Sequence, residues 1–505
     1  MSADAPASET VRHRTPPGGG VPARPAPPRR RRPPTWRGAL PGLGVLVVVL
    51  VVGSVALADG LSTGGRITLA VFVVAVWAWA FTAVDDTFVA LAAGVTLVMT
   101  GVLDADRLFA TLGDDIVWLL VSAFVIAAGV TSSGLTTRTA CWLVAGARSP
   151  RTLVHLLTMA LVVTAFAVPS TSGRAALALP VYVALATVLL PAGHRRLVTA
   201  LALLFPTVIL LSAVGSLLGA GAHLVTVRVL ETATGDTLDF ARWMILGLPL
   251  AVVSSHVAAE IVLRLFTSAD DRDRALRIGV DQLERVSPTP VTGPLSVAEG
   301  RAALILGAVI VLWCTEPLHG VHPAVVALVG ALVTAAPRYG STRLKDALGG
   351  IPWSQLLFMA ATLALGDALV TSGAAAWLAD RTLGGLGEAH PWVFVTGVVV
   401  LSVAAHLVIQ SRSARSAVLV PIVIALAPAA GISPAAAAFA STAAAGFCHT
   451  LPASAKPVTP FADVEGLPTY QTRDLLRLSV VLAPVTAALV IAFAIGVWPH
   501  LGLPL

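Results

Sequence analysis

The sequence predicts an all-α polytopic membrane protein of two inverted repeats with re-entrant hairpins and broken helices, and three observations carry that prediction. Of 505 residues, 56% are hydrophobic and 12% charged, whereas soluble domains carry about 25% charged residues. Apolar runs of about twenty residues, the length that crosses a hydrocarbon core, recur along most of the chain. Finally, one polar motif interrupts the apolar body twice: Ser170-Thr171-Ser172-Gly173-Arg174 runs on to Pro180, and Ser411-Arg412-Ser413-Ala414-Arg415 runs on to Pro421.

Residues 1–38 come first. They are rich in Pro, Arg, Gly and Ala, cannot bury enough surface to offset ordering entropy, and read as a disordered cytoplasmic tail. Their Arg12, Arg14, Arg24, Arg29 to Arg32 and Arg37 outweigh Asp4 and Glu9 by six charges, which is the whole net charge of +6. No folded part has a basic surplus, so nucleic acid is excluded as a partner. Residues 39–58 read as a retained signal anchor with the N-terminus inside, in a multi-pass protein of the cytoplasmic membrane. A first repeat follows over 67–266, with segments near 67–84, 87–102, 115–133, 152–192, 195–230 and 243–266. The mixed-charge stretch 267–298 is a cytoplasmic linker. The second repeat, 299–497, has segments near 300–316, 321–337, 353–372, 391–430, 434–458 and 475–497. Loops with Arg138, Arg148 and Arg151, with Arg195 and Arg196, and with Arg338, Arg343 and Lys345 sort to the inside. Loops with Asp104, Asp106, Asp114 and Asp115, or Glu231, Asp236 and Asp239, sort to the outside.

The repeat extends beyond the tip motif. Thr131 to Gly134 precedes the first motif as Thr371 to Gly373 precedes the second, and Gly219 to His223 follows the first as Pro452 to Lys456 follows the second. With the interrupted pair as a re-entrant hairpin, each half makes an odd number of crossings and the halves face opposite ways. That is the architecture of secondary transporters, which bind substrate near the midplane where the breaks meet.

Polar residues at such breaks leave hydroxyls, carbonyls and helix N-terminal amides for a ligand. Ser170, Thr171, Ser172, Ser411 and Ser413 are therefore candidate substrate ligands, although single Ser and Thr residues also serve helix packing. Arg174, Arg412, Arg415, His223 and Lys456 place cations in the apolar body, where charge is costly and marks a pathway. Acids are scarce. Asp367 is expected as a counter-ion, with Arg412 or Arg415 as partners, and Gly219 and Gly221 line a coupling-ion position. A basic centre of this kind wants an anion, which arginine grips bidentately.

Enzyme readings find no support. His155, His256 and His406 are expected to be isolated span-end or packing residues. Glu316, His319 and His322 recur every three residues, but Pro317, Gly320 and Pro323 make that stretch a loop. Cys141, Cys314 and Cys448 lack metal or disulfide spacing. Gly42, Gly44 and the glycines near 384–387 carry no P-loop lysine. No metal or cofactor is expected.

At its tips the chain resembles the divalent-anion:sodium symporter family of the wider ion transporter superfamily, whose two halves each carry a Ser-Asn-Thr tip, an apolar run ending in Pro, and a later break with Asn. The resemblance runs from about residue 67 to the C-terminus and includes Leu312 to Pro317 entering the second half. It implies an elevator-type homodimer that moves dicarboxylate, citrate or sulfate with sodium as coupling ion or by exchange. Both tip Asn positions differ here, being Thr171 and Arg412, and both later Asn positions are His223 and Lys456. Arg and Lys side chains offer sodium no oxygen, so fixed charge is expected to replace at least one sodium. The alternatives are a proton-coupled antiporter or metalloid efflux permease of the same superfamily, and a non-transporting scaffold or lipid-processing enzyme.

Overall fold

A computed structural model describes residues 52–53, 59–144, 146–276, 284, 292–383, 390–450 and 455–505. The tail, most of the 39–58 span, the glycines near 384–387, the middle of the 267–298 linker and residues 451–454 of the second break lie outside the described residues. The described residues are helical with no strand, and ten helices are long and apolar enough to cross a membrane.

The first half runs α1 (Thr63–Phe81), α2 (Asp86–Met99), α3 (Asp115–Ser132), α4 (Leu135–Val144), α5 (Pro150–Ala167), α6 (Thr171–Leu189), α7 (Arg195–Ser212), α8 (Gly221–Thr234) and α9 (Phe240–Phe266). The second runs α10 (Val297–Cys314), α11 (Pro323–Thr334), α12 (Trp353–Thr371), α13 (Ala374–Leu383), α14 (Pro391–Ala404), α15 (Arg412–Leu426), α16 (Pro434–Ala444) and α17 (Thr472–Gly496). The two halves match element by element, except that the counterpart of α8 is only the single turn Thr459–Ala462. Small, polar α4 and α13 were not resolved by hydropathy. Each follows a glycine in the left-handed region, Gly134 at φ 84° and Gly373 at φ 75°, where the chain reverses sharply at no steric cost.

The tips form because serine stops one helix and starts the next. The Oγ of Ser170 accepts from Gly173 N at 3.3 Å, and that of Ser411 from Ala414 N at 3.3 Å, each satisfying an orphan amide of the helix it caps. The halves interlock: α2 packs on α12, where the Thr87 and Ser354 hydroxyls meet at 2.8 Å, and α11 packs reciprocally on α3. At that second contact Gly129 lies so close to Thr334 that a Cβ would stand 2.1 Å from its methyl. Each half thus holds a helix of the other.

Loops that charge sorted to one side also meet one another. Arg228 pairs with Asp114 at 3.0 Å and His322 with Asp115 at 3.0 Å at one end, while Arg138 pairs with Glu299 at 3.1 Å and Arg151 with Glu260 at 2.6 Å at the other. Two readings from sequence need correction. His155 and His256 are not isolated: their Nδ1 atoms are 2.8 Å apart and His155 Nε2 is 2.8 Å from Glu260, because α5 and α9 run side by side. Glu316–His319 is one helical turn and not a loop, and the two histidines diverge, His319 toward the carbonyl of Leu312 and His322, the N-cap of α11, toward Asp115.

Candidate functional site

The second tip meets the first break. Residues 213–220 between α7 and α8 form two short 3-10 turns, and the chain folds so tightly that a Cβ on Gly219 would stand 2.1 Å from the carbonyl oxygen of Ala213. Ser413 Oγ lies 3.3 Å from where a Cβ on Gly221 would be. From the start of α15, Arg412 reaches across: Nη1 donates to Leu210 O at 3.4 Å and Nη2 lies 3.1 Å from His223 Nε2. The His223 tautomer follows from its other nitrogen. Nδ1 is 2.9 Å from the carbonyl of Ser216, which only accepts, so Nδ1 carries the proton and Nε2 is free to accept from Arg412. Trp243 stacks beside the imidazole at 4.9 Å and is itself fixed by donating to Val214 O at 2.9 Å.

Arg174 and Arg415 occupy equivalent positions yet live differently. Arg174 is buried and saturated by protein: Nε donates to Thr164 Oγ1 at 3.0 Å, Nη1 to Ile209 O at 2.9 Å, and Nη2 to Leu161 O at 2.6 Å and Ser212 Oγ at 2.7 Å. It ties the first tip to the ends of α5 and α7. Arg415, 0% exposed, donates from Nη1 to Phe447 O at 3.2 Å and lies beside the Cys448 thiol, while its Nε and Nη2 have no oxygen acceptor among the described residues. Part of the cause is in the sequence: ten residues before its arginine repeat one has Thr164, and repeat two has Ala405, which offers no oxygen from its side chain. Arg412 Nε is likewise buried and unpartnered, and so are both ring nitrogens of His449. Unused polar groups concentrate at the second tip and second break.

The three guanidiniums act on one another, Arg412 on Arg174 and Arg415 on Arg412. Among the described residues no ion pair includes any of them. Like charges in a low-dielectric interior repel strongly, so their close approach is costly without a counter-charge.

The remaining candidates stand apart. Thr171 and Ser172 are on the partly exposed first turn of α6. Lys456 is exposed, unlike buried His223 at the matching place in the repeat. Asp367 serves Arg107, at 3.6 Å, and not the tip arginines, because its helix face turns toward the short helix Ala105–Ala110. One residue was missed: Asp86, at the start of α2, faces the Ser411 side chain and the charge of Lys456. The signal was the doublet Asp85-Asp86, in which Asp85 alone suffices to cap α2 by accepting from Thr87 N at 2.9 Å.

Comparison with known proteins follows the same lines. A family model described as the sodium:sulfate symporter transmembrane region matches residues 39–503, so the match takes in the first apolar run as well as both halves. A membrane protein from Cupriavidus necator is 24% identical over 481 residues, spanning 90% of this chain and 92% of its own length. The sodium-dependent dicarboxylate transporter SdcS of Staphylococcus saprophyticus is 24% identical over 403 residues, 74% of this chain and 76% of its own. In fold, the chain is similar to the crystal structure of the YdaH transporter of Alcanivorax borkumensis, with a TM-score of 0.50 at 15% identity over 88% of this chain and 99% of that one.

Proposed function

The chain belongs to the sodium:sulfate symporter family, and from that membership we propose that it is a secondary transporter of small dianions, of the dicarboxylate, citrate or sulfate class, that relies weakly or not at all on sodium. The observation that carries this reading is the set of unpartnered guanidinium nitrogens on Arg412 and Arg415, buried beside Arg174 and in no ion pair among the described residues. Two oxygens of a carboxylate or sulfate would take up donors the protein leaves idle, and the negative charge would relieve the mutual repulsion of the cations. Arg174 then positions the first tip and leaves the gripping to the second.

The same geometry supports replacement of sodium by fixed charge. Sodium needs oxygen ligands, yet the carbonyls of Leu161, Ile209, Leu210 and Phe447 around the breaks each accept from an arginine. Transport proceeds by elevator-type movement of the tips and breaks against the interlocked frame, in a homodimer of the cytoplasmic membrane with its N-terminus inside. Uptake of labelled succinate, citrate and sulfate into proteoliposomes, with and without a sodium gradient, is the test. Saturable uptake of at least one anion in sodium-free buffer is expected. Uptake that vanishes without sodium would overturn the charge replacement, and absence of uptake for all three would overturn the substrate class.

A further inference from the structure

Away from the tips, where α7 and α17 begin and α9 ends, the bundle holds a cavity of about 700 Å3, lined chiefly by Arg195, Arg196, Thr199, Arg264, Phe266 and Arg477. This size matches pockets that hold small organic ligands. All three helix ends belong to membrane-crossing segments, so the cavity sits at the membrane interface. Helix α9 is 27 residues long, about 40 Å at 1.5 Å per residue; the cavity is therefore a full span away from Asp236 and Asp239, on the side where arginines outnumber acids.

The charge here is only half compensated. Arg196 pairs with Asp271 at 3.4 Å, and Arg264 with Glu260 at 3.7 Å, a carboxylate already shared with Arg151 and His155. Arg195 and Arg477 are in no ion pair among the described residues, although the Arg477 guanidinium lies over the Phe266 ring at 5.7 Å. Helix α7 starts at the cavity without a side-chain cap bond, which leaves its first amides pointing outward and adds positive potential. Directly along α17 from Arg477 runs an apolar lane, Leu476 and Val480, the latter 75% exposed. A free anion has no use for that lane; an acyl chain does.

We propose that this cavity binds the phosphate headgroup of an anionic phospholipid, with Arg195 and Arg477 as principal phosphate ligands and Leu476 and Val480 beside its acyl chains. The interface position, the uncompensated arginines and the adjoining apolar lane each favour a lipid over a soluble phosphate. The test uses the full chain in neutral detergent, titrated with phosphatidylglycerol, phosphatidylcholine or inorganic phosphate while thermal unfolding is followed. Phosphatidylglycerol should raise the unfolding temperature well above phosphatidylcholine. Its apparent affinity should fall at least tenfold in R195Q/R477Q, and stay within twofold in R338Q/R343Q, which removes the same charge elsewhere. Equal weakening in both variants, or millimolar phosphate reproducing the effect, would overturn the proposal. Native mass spectrometry of the wild type is independent of any variant: a phosphatidylglycerol adduct that persists against excess phosphatidylcholine is expected, and its absence also counts against the site.

Discussion

Replacing Arg415 with methionine removes a buried cation that has one hydrogen bond to oxygen, to Phe447 O at 3.2 Å, and two nitrogens with no oxygen acceptor among the described residues. Methionine fills most of the volume without a charge. A buried polar group left unpaired costs about 1–3 kcal/mol, and burial of the charge itself adds to that, so substrate-free R415M should be as stable as the wild type or more so. Arg174 gives the contrast within the same molecule. Its four hydrogen bonds are charge-assisted, at about 1.5–3 kcal/mol each, and the cost of burying the cation is similar at both sites. The three additional bonds should leave R174M about 4 kcal/mol or more below R415M. Denaturant unfolding in detergent measures that difference, and a substrate-induced shift in unfolding temperature reads out binding. R415M should lose the shift, with uptake down about 100-fold for two missing charge-assisted bonds, while R174M fails through stability. An R415M protein that unfolds as easily as R174M, or that keeps its substrate shift, would refute the division of labour between the two arginines.

Gly219→Ala should cost about 3 kcal/mol by forcing a Cβ against the Ala213 carbonyl, seen as a sharp fall in monodisperse protein on size exclusion. Asp367→Asn should leave uptake within twofold of the wild type, since its partner Arg107 is largely exposed and such pairs contribute about 0–1 kcal/mol; a large loss would make Asp367 a coupling site. Asp271, beyond the end of α9, is held below the usual carboxylate range by the Ser268 hydroxyl and amide and then by Arg196. Its depressed pKa means that the stabilisation of the 269–273 turn is complete above the ordinary carboxylate pKa and is lost as pH falls through the folded-state value. Amide exchange in that turn should therefore accelerate in acid, and Asp271→Asn should bring about the faster exchange already at neutral pH by removing a capping box of about 1 kcal/mol.

Much of the molecule was legible in the residue order. Twenty-residue apolar runs dictate crossings because an unpaired peptide group in hydrocarbon is too costly, and the helices at 115–132, 353–371 and 472–496 lie within a few residues of the expected segments. The Ser170 and Ser411 tips were visible because serine in an apolar run followed by a repeated pattern has few other uses. Helices α4 and α13 were not, since their composition is too polar for a hydropathy argument and they depend on the glycine reversals before them. Nor could spacing show that Asp367 faces Arg107, or that His155 and His256 touch across 101 residues.

What the sequence alone determined is therefore the class of molecule: a duplicated, helical membrane protein with cations at its breaks, because composition, period and repetition are local properties. What tertiary structure decided is which cation finds its acceptors within the protein. Arg174 and Arg415 are the same residue at the same place in a repeat, and the fold brings the Thr164 and Ser212 hydroxyls to one of them, while Ala405 stands in the place of Thr164 for the other and its Nε and Nη2 meet no oxygen acceptor among the described residues. Whether a buried guanidinium finds its acceptors within the protein is set by contacts between segments the sequence keeps apart.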